Sequence, residues 1–334
     1  QLCDRCVNRL DLKYIKVLNI FRGMAALGVC LFHYICKTPG LIEDGWITKI
    51  FSFGHYGVQV FFIISGFIIL YSLSNHNYKT KDYFRFILKR LIRLEPPYLI
   101  SLLGMVAYLI VREYLPSFNG LSLIPDWNQF LLHLGYLIPY QNFYNWISPV
   151  YWTLGIEFQF YLIMGLLFVP FRQYYKISII LLSIIAVLPI QSHQFFITDH
   201  LKFFIAGMFL FLLHENPKDY FIILGMVVVG FALKNHVFVL SVFILMTIGV
   251  MWFSQFSNKF FDFFAKISYS LYLMHPFIGQ PIINLGIKKT TGDVQNFLLV
   301  TTATLVTIGI SYGVYWLVEL PAVRWSKKVK LNKG

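Results

Sequence analysis

An arginine and a histidine share one apolar run. Residues 17–36, VLNIFRGMAALGVCLFHYIC, are long enough to span a bilayer yet carry Arg22 and His33. Ionisable side chains are costly in hydrocarbon, so they face a protein interior or a wet cavity and mark a functional path. Eleven residues at about 100° each return to within roughly 20° of the start, which puts both on one helix face, about 16 Å apart along the axis. Histidine is suited to taking a proton near neutral pH, and a carboxylate beside it would fix its tautomer and raise its basicity. Glu157, in WTLGIEFQFY at 152–161, is a candidate for that carboxylate. Arg90 and Arg93 form an RxxR. A spacing of three residues puts both guanidinium forks on one helix face, where they suit a phosphate group. Each feature has a plainer alternative. Arg22 can snorkel to headgroups, Arg90 and Arg93 can anchor a cytoplasmic loop, and His33 and Glu157 can be separately solvated.

These groups need helices to hold them. The chain is 57% hydrophobic, with only 13% charged residues, against roughly 25% in a soluble domain. That composition describes an all-α polytopic membrane protein without a sizeable soluble domain. The alternating strands of an outer-membrane barrel are not seen in the sequence. Ten apolar spans can be read, at about 17–36, 56–74, 95–112, 148–169, 175–191, 200–214, 219–234, 237–254, 267–287 and 297–318. The fifth and sixth are short for the ~20 residues a spanning helix needs. With the N-terminus in the cytoplasm, 20 of the 28 Lys and Arg residues fall inside and 7 outside, as the positive-inside rule expects. The expected architecture is a bundle of about ten transmembrane helices with N- and C-termini cytoplasmic. It forms one domain over 1–334: a cytoplasmic tail at 1–16, the bundle at 17–318 and a basic cytoplasmic tail at 319–334.

On this topology Arg22 lies roughly 8 Å from the inner boundary. His33 is roughly 6 Å and Glu157 about 13 Å from the outer face, close enough in depth for a His33–Glu157 pair. Pro96 and Pro97, after Glu95, read as the start of the third span, since proline is tolerated in a first helical turn. His275 before Pro276 reads as a helix interruption, where the ring either lines a cavity or bonds freed carbonyls. Gly57 and Gly66 permit close helix approach. His275, Gln59, Ser65, Trp152 and Tyr269 are the candidates to line a cavity.

The net charge of +13 does not point to nucleic acid, because the basic residues cluster at the ends of apolar runs. Cys3 and Cys6 form a CxxC with no second pair to complete a zinc site, so free thiols are expected and no metal. The chain begins with Gln, and its first apolar run follows about sixteen mostly polar residues without a small-residue cleavage site, so no cleavable signal peptide is expected. No Walker loop, GxSxG elbow or dinucleotide fingerprint is present in the sequence. The loop at about 113–147 is rich in Trp and Tyr, as an interfacial belt or as a platform on which sugar rings stack.

Taken in order, several segments resemble the membrane acyltransferase 3 family, bacterial integral-membrane enzymes that O-acylate glycans and other exported molecules. Arg22 and His33 fit its R-x10-H signature, and GVQVFFIISGF at 57–67 is similar to its GVDVFFVISGF segment. Arg90 and Arg93 fit its RxxR. WTLGIEFQFY is similar to its WSLxxExxFY, with Glu157 at the acidic position. SYSLYLMH at 268–275 and ELPAVR at 319–324 resemble its SYSLYLxH and ExPxxR. The one departure is Gln59, where the family often has Asp. The resemblance implies a cytoplasmic acyl-CoA donor, most often acetyl-CoA, as substrate, with no permanently bound cofactor. It implies an acceptor hydroxyl on a surface or lipid-linked glycan such as lipopolysaccharide O-antigen, and a place in the bacterial inner membrane. Arg22, Arg90 and Arg93 would then bind acyl-CoA. His33, oriented by Glu157, would deprotonate the acceptor or briefly take the acyl group itself. Some members carry a fused esterase-like domain, which a chain of this length is not expected to hold. Two other classes stay open: a proton-coupled transporter or flippase of a lipid-linked glycan using the same His, Arg and Glu residues, and a non-catalytic membrane sensor or scaffold.

Overall fold

A computed structural model describes residues 15–43, 45–114, 122–189 and 195–331. Cys3 and Cys6 lie outside the described residues. Every expected apolar span holds a helix, and no strand occurs among the described residues. In chain order the helices are α1 (Val17–Cys36), the short α2 (Trp46–Ser52), α3 (Gly57–Asn75), α4 (Tyr83–Glu113), the short α5 (Trp127–Leu134), α6 (Tyr151–Gln173) and α7 (Tyr175–Val187). Then follow α8 (Ile197–Glu215), α9 (Tyr220–Ala232), α10 (Val237–Trp252), α11 (Lys259–Gly286), α12 (Asp293–Val314) and α13 (Leu320–Lys328).

Among the described residues, six stretches are long and apolar enough to cross a membrane: Val17–Cys36, Trp46–Asn75, Thr80–Glu113, Tyr151–Gln173, Ile197–Glu215 and Asp293–Lys328. The expected ten spans therefore become ten helical segments, of which six meet both requirements. The others fall short for physical reasons. Helices α7, α9 and α10 have 13, 13 and 16 residues, or about 20–24 Å of rise against ~30 Å of hydrocarbon. Helix α11 has 28 residues, but its charged start is followed by a stretch made less apolar by His275, Gln280 and Asn284. Leu181, Leu224, Val227, Phe231 and Leu245 are exposed on the shorter helices, an apolar surface of the kind lipid covers.

Two sequence expectations about helix breaks are corrected. Helix α4 runs unbroken through Pro96 and Pro97, so Arg90 and Arg93 stand on the same rod as the third span rather than in a loop before it. Helix α11 runs unbroken through Pro276 and Pro281, so His275 is not at an interruption. Proline in a membrane helix is tolerated where neighbouring groups satisfy the backbone. Here hydroxyls donate into carbonyls near the prolines: Tyr269 to Leu94 at 2.9 Å, Ser101 to Leu273 at 3.0 Å and Tyr34 to His275 at 3.1 Å. The presumed tail boundary also moves. Residues Tyr315–Glu319 form a π turn that joins α12 to α13, and Glu319 is buried.

The site is framed by α1, which packs on α11 and α3, by α3 on α8, and by α4 on α6, α11 and α13. The α3–α8 crossing depends on two glycines. A Cβ on Gly66 would meet the Phe204 carbonyl, and one on Gly207 would meet the Ile63 carbonyl. Such small-residue contacts let backbones approach in a membrane protein, where little hydrophobic force drives helices together. Gly207→Val is expected to cost at least about 1–3 kcal/mol by overpacking, read as a lower thermal unfolding midpoint in lipid. An unchanged midpoint would show that this crossing yields easily.

Candidate active site

Five helices converge on one cavity of about 100 Å³, room for several waters. Its polar lining includes Arg22 from α1, Ser65 from α3, Arg90 and Arg93 from α4, Thr153, Glu157 and Tyr161 from α6, and Ser268, Tyr269 and Tyr272 from α11. Phe61, Phe62 and Leu94 are among its apolar walls. Four residues proposed from sequence at widely separated positions, Arg22, Arg90, Arg93 and Glu157, thus share one enclosure. Two of the candidate cavity residues, Ser65 and Tyr269, line it as well.

Arg90 is only 6% exposed. Its guanidinium is held over the Phe86 and Tyr161 rings, 5.3 and 5.5 Å from their centroids. Cation–π contact of this kind steadies a charge that burial would otherwise penalise. Its Nε has no hydrogen-bond partner among the described residues. Among the described residues neither Arg90 nor Arg93 makes an ion pair. Glu157 is the acid that faces this charge. Its Oε1 accepts from the Ser65 hydroxyl at 2.7 Å and the Tyr161 hydroxyl at 2.5 Å. A second acid joins from the far end of the chain: Glu319 Oε2 accepts from Ser270 Oγ at 2.6 Å, within reach of the charges on Arg22 and Arg93. Sequence reasoning placed Glu319 at the edge of a tail. The ELPAVR motif was the signal that could have drawn it inward.

The expected His33–Glu157 pair does not form. His33 Nδ1 lies 3.0 Å from the Val29 carbonyl and 3.1 Å from His275 Nε2. Depth along the membrane normal allowed the Glu157 pairing, but depth says nothing of direction. Glu157 is satisfied by hydroxyls on α3 and α6 facing the arginines, while His33 faces α11. Its partner is therefore His275, fully buried. The histidine pair lies beside the cavity rather than in its lining. Tyr272 joins the two: it lines the cavity, and its ring centroid is 6.0 Å from that of His275. Gln59 and Trp152 lie elsewhere. The Gln59 amide lies 3.2 and 3.1 Å from the carbonyls of His55 and Tyr56, to which its nitrogen donates once the amide is turned over. Trp152 Nε1 donates to the Pro149 carbonyl at 3.0 Å.

The hydroxyl pair on Glu157 gives a stability test. A hydrogen bond to a charged group contributes about 1.5–3 kcal/mol. Tyr161→Phe and Ser65→Ala are each expected to lower the unfolding midpoint, and the double variant to depart from additivity because both serve one oxygen. Additive losses would mean that the two hydroxyls act independently of Glu157.

A family model described as an acyltransferase domain matches residues 15–316. The chain belongs to the acyltransferase 3 family. Among curated relatives, the O-acetyltransferase OatA of Staphylococcus aureus strain NCTC 8325 is 26% identical over 165 residues, 46% of this chain and 24% of the relative. The peptidoglycan O-acetyltransferase OatA of Listeria monocytogenes is 25% identical over 198 residues, 55% of this chain and 29% of the relative. A putative O-acetyltransferase of Staphylococcus aureus strain COL is 25% identical over 322 residues, 79% of this chain and 50% of the relative. The chain thus spans between a quarter and a half of the length of these relatives. No solved structure matches it. Within the acyltransferase 3 family match fall both the arginine-lined cavity and the histidine pair, whose residues run from Arg22 to His275.

Proposed function

We propose that this chain is a multi-pass enzyme of the bacterial cytoplasmic membrane that moves an acyl group, acetyl first among them, from acyl-CoA to a sugar hydroxyl of a cell-envelope glycan. The observation that carries the proposal is the meeting of Arg22, Arg90 and Arg93 in a cavity whose wall, Tyr272, also packs beside His275 of the histidine pair. Arginine forks bind phosphates, and coenzyme A is a polyanion that ends in a thioester. On this account the arginines hold the donor, and His33 Nε2 takes the proton of the acceptor hydroxyl as its oxygen attacks the thioester carbonyl. The C–O bond forms, the C–S bond breaks, and the thiolate leaves with the proton from His33. A transient acyl-imidazole would use the same nitrogen. Exchange of a thioester for an ester requires no ATP.

The basic residues before α1 and between α3 and α4 support a cytoplasmic N-terminus, which puts Arg90 and Arg93 on the donor side. Similarity to a relative named for peptidoglycan favours a wall glycan as acceptor over the lipopolysaccharide expected from the resemblance alone. Membranes containing the protein, incubated with labelled acetyl-CoA, should yield a labelled glycan by mass spectrometry. Uptake or counterflow of a glycan without acyl-CoA and without any labelled product would favour the transporter class instead.

A further inference from the structure

The histidine pair specifies its own protonation state. Helices α1 and α11 pack along one another. Tyr34 ties them together, donating to the His275 carbonyl at 3.1 Å and lying 2.8 Å from Thr307 Oγ1. Around that tie each ring meets a carbonyl of its own helix. His275 Nδ1 is 3.2 Å from the Leu271 carbonyl, and His33 Nδ1 is 3.0 Å from the Val29 carbonyl. A carbonyl oxygen only accepts, so both Nδ1 atoms carry hydrogen. The remaining contact joins His275 Nε2 to His33 Nδ1 at 3.1 Å. With hydrogen already on His33 Nδ1, His275 Nε2 must be bare, since two N–H groups facing each other would repel. His275 is then neutral, and His33 Nδ1–H is shared between Val29 and His275. In a neutral His33 the unprotonated nitrogen is then Nε2.

We infer that His275 is a positioning residue that fixes His33 in its Nδ1–H tautomer and accepts from it, leaving His33 Nε2 as the reacting nitrogen. This rests on the acyl-transfer role of His33 proposed above. When Nε2 takes the acceptor proton, the His33 ring becomes cationic. Its Nδ1–H bond to His275 then becomes charge-assisted and stronger. An interaction that strengthens as the reaction proceeds lowers the barrier rather than tightening ground-state binding. The aspartate of a Ser-His-Asp triad has the same two duties. A neutral imidazole performs them without placing a second charge in an apolar bundle, where an isolated carboxylate is costly. Glu157 is thereby released to the arginine cavity, where its hydrogen bonds place it.

The test uses the full chain in lipid vesicles, with kcat and KM measured for acetyl-CoA. His275→Leu keeps similar bulk and removes the acceptor. It is expected to lower kcat about 100-fold or more, within the range for loss of tautomer control, with KM unchanged. His275→Gln places an amide oxygen near the former Nε2 and should recover kcat to within about tenfold of the wild type, since a hydrogen-bond acceptor is restored. The inference is overturned if the Leu variant stays within about threefold of wild type, if Gln is as poor as Leu, or if the loss falls on KM. A second measurement needs no variant at His275. In wild-type protein with 15N-labelled histidine, the resonances lost in His33→Ala should report Nδ1–H with bare Nε2. The opposite tautomer overturns the inference. Should His33→Ala retain full transfer, the acyl-transfer role fails while the tautomer result stands on its own.

Discussion

His33→Ala is expected to reduce acyl transfer by about 10³-fold or more while the protein still folds and binds donor. A positioned general base contributes typically 10²–10⁴-fold, and an acyl-carrying histidine would contribute at least as much. Donor affinity should survive because His33 does not line the arginine cavity. Folding should survive because α1 keeps its other buried contacts, among them Val29, Cys30 and Tyr34. The measurement is the initial rate of acetyl transfer at saturating acetyl-CoA, with binding of CoA followed in parallel. A rate within about threefold of wild type would remove His33 from the chemistry.

Arg90→Ala is expected to weaken acyl-CoA binding about 10- to 100-fold. Each charge-assisted hydrogen bond contributes about 1.5–3 kcal/mol, and 1.4 kcal/mol is tenfold in affinity. Arg90 is buried between two rings with Nε unpartnered, so it holds donor capacity that the protein leaves unused. Arg90→Lys separates charge from shape. Lysine keeps the cation but lacks the planar fork and the stacking surface, so it should restore only part of the affinity. Adding Arg93→Ala should weaken binding further, and higher salt should shrink the contrast, since screening acts on this attraction. Unchanged affinity in the Arg90→Ala, Arg93→Ala double variant, measured by titration calorimetry with coenzyme A, would return the basic pair to a topological role.

Much of this was legible in the sequence because it is one-dimensional. Hydropathy located all ten helical segments, and the R-x10-H, RxxR and WTLGIEFQFY segments named four residues that share one cavity. What escaped depends on the direction a helix face points. Depth brought His33 and Glu157 to similar levels, yet Glu157 turns to Ser65 and Tyr161 while His33 turns to His275. Proline misled for a related reason. Pro96 and Pro276 would break isolated helices, but hydroxyls from other helices support the backbone near them, and those partners lie far away in the chain. Glu319 was hidden likewise: its partner Ser270 lies 49 residues back, and only the π turn carries it inward. The short helices α7, α9 and α10 show that hydropathy finds an apolar run without fixing the length of its helix.

The central claim is that one histidine on α1 transfers an acyl group from a donor held by the arginine cavity. It is tested most directly by purified protein in lipid vesicles with radiolabelled acetyl-CoA and a purified envelope glycan. Wild-type protein should move label to the glycan, and His33→Ala should bind the donor equally well yet leave the glycan unlabelled. Labelling by both proteins at equal rates would contradict the account.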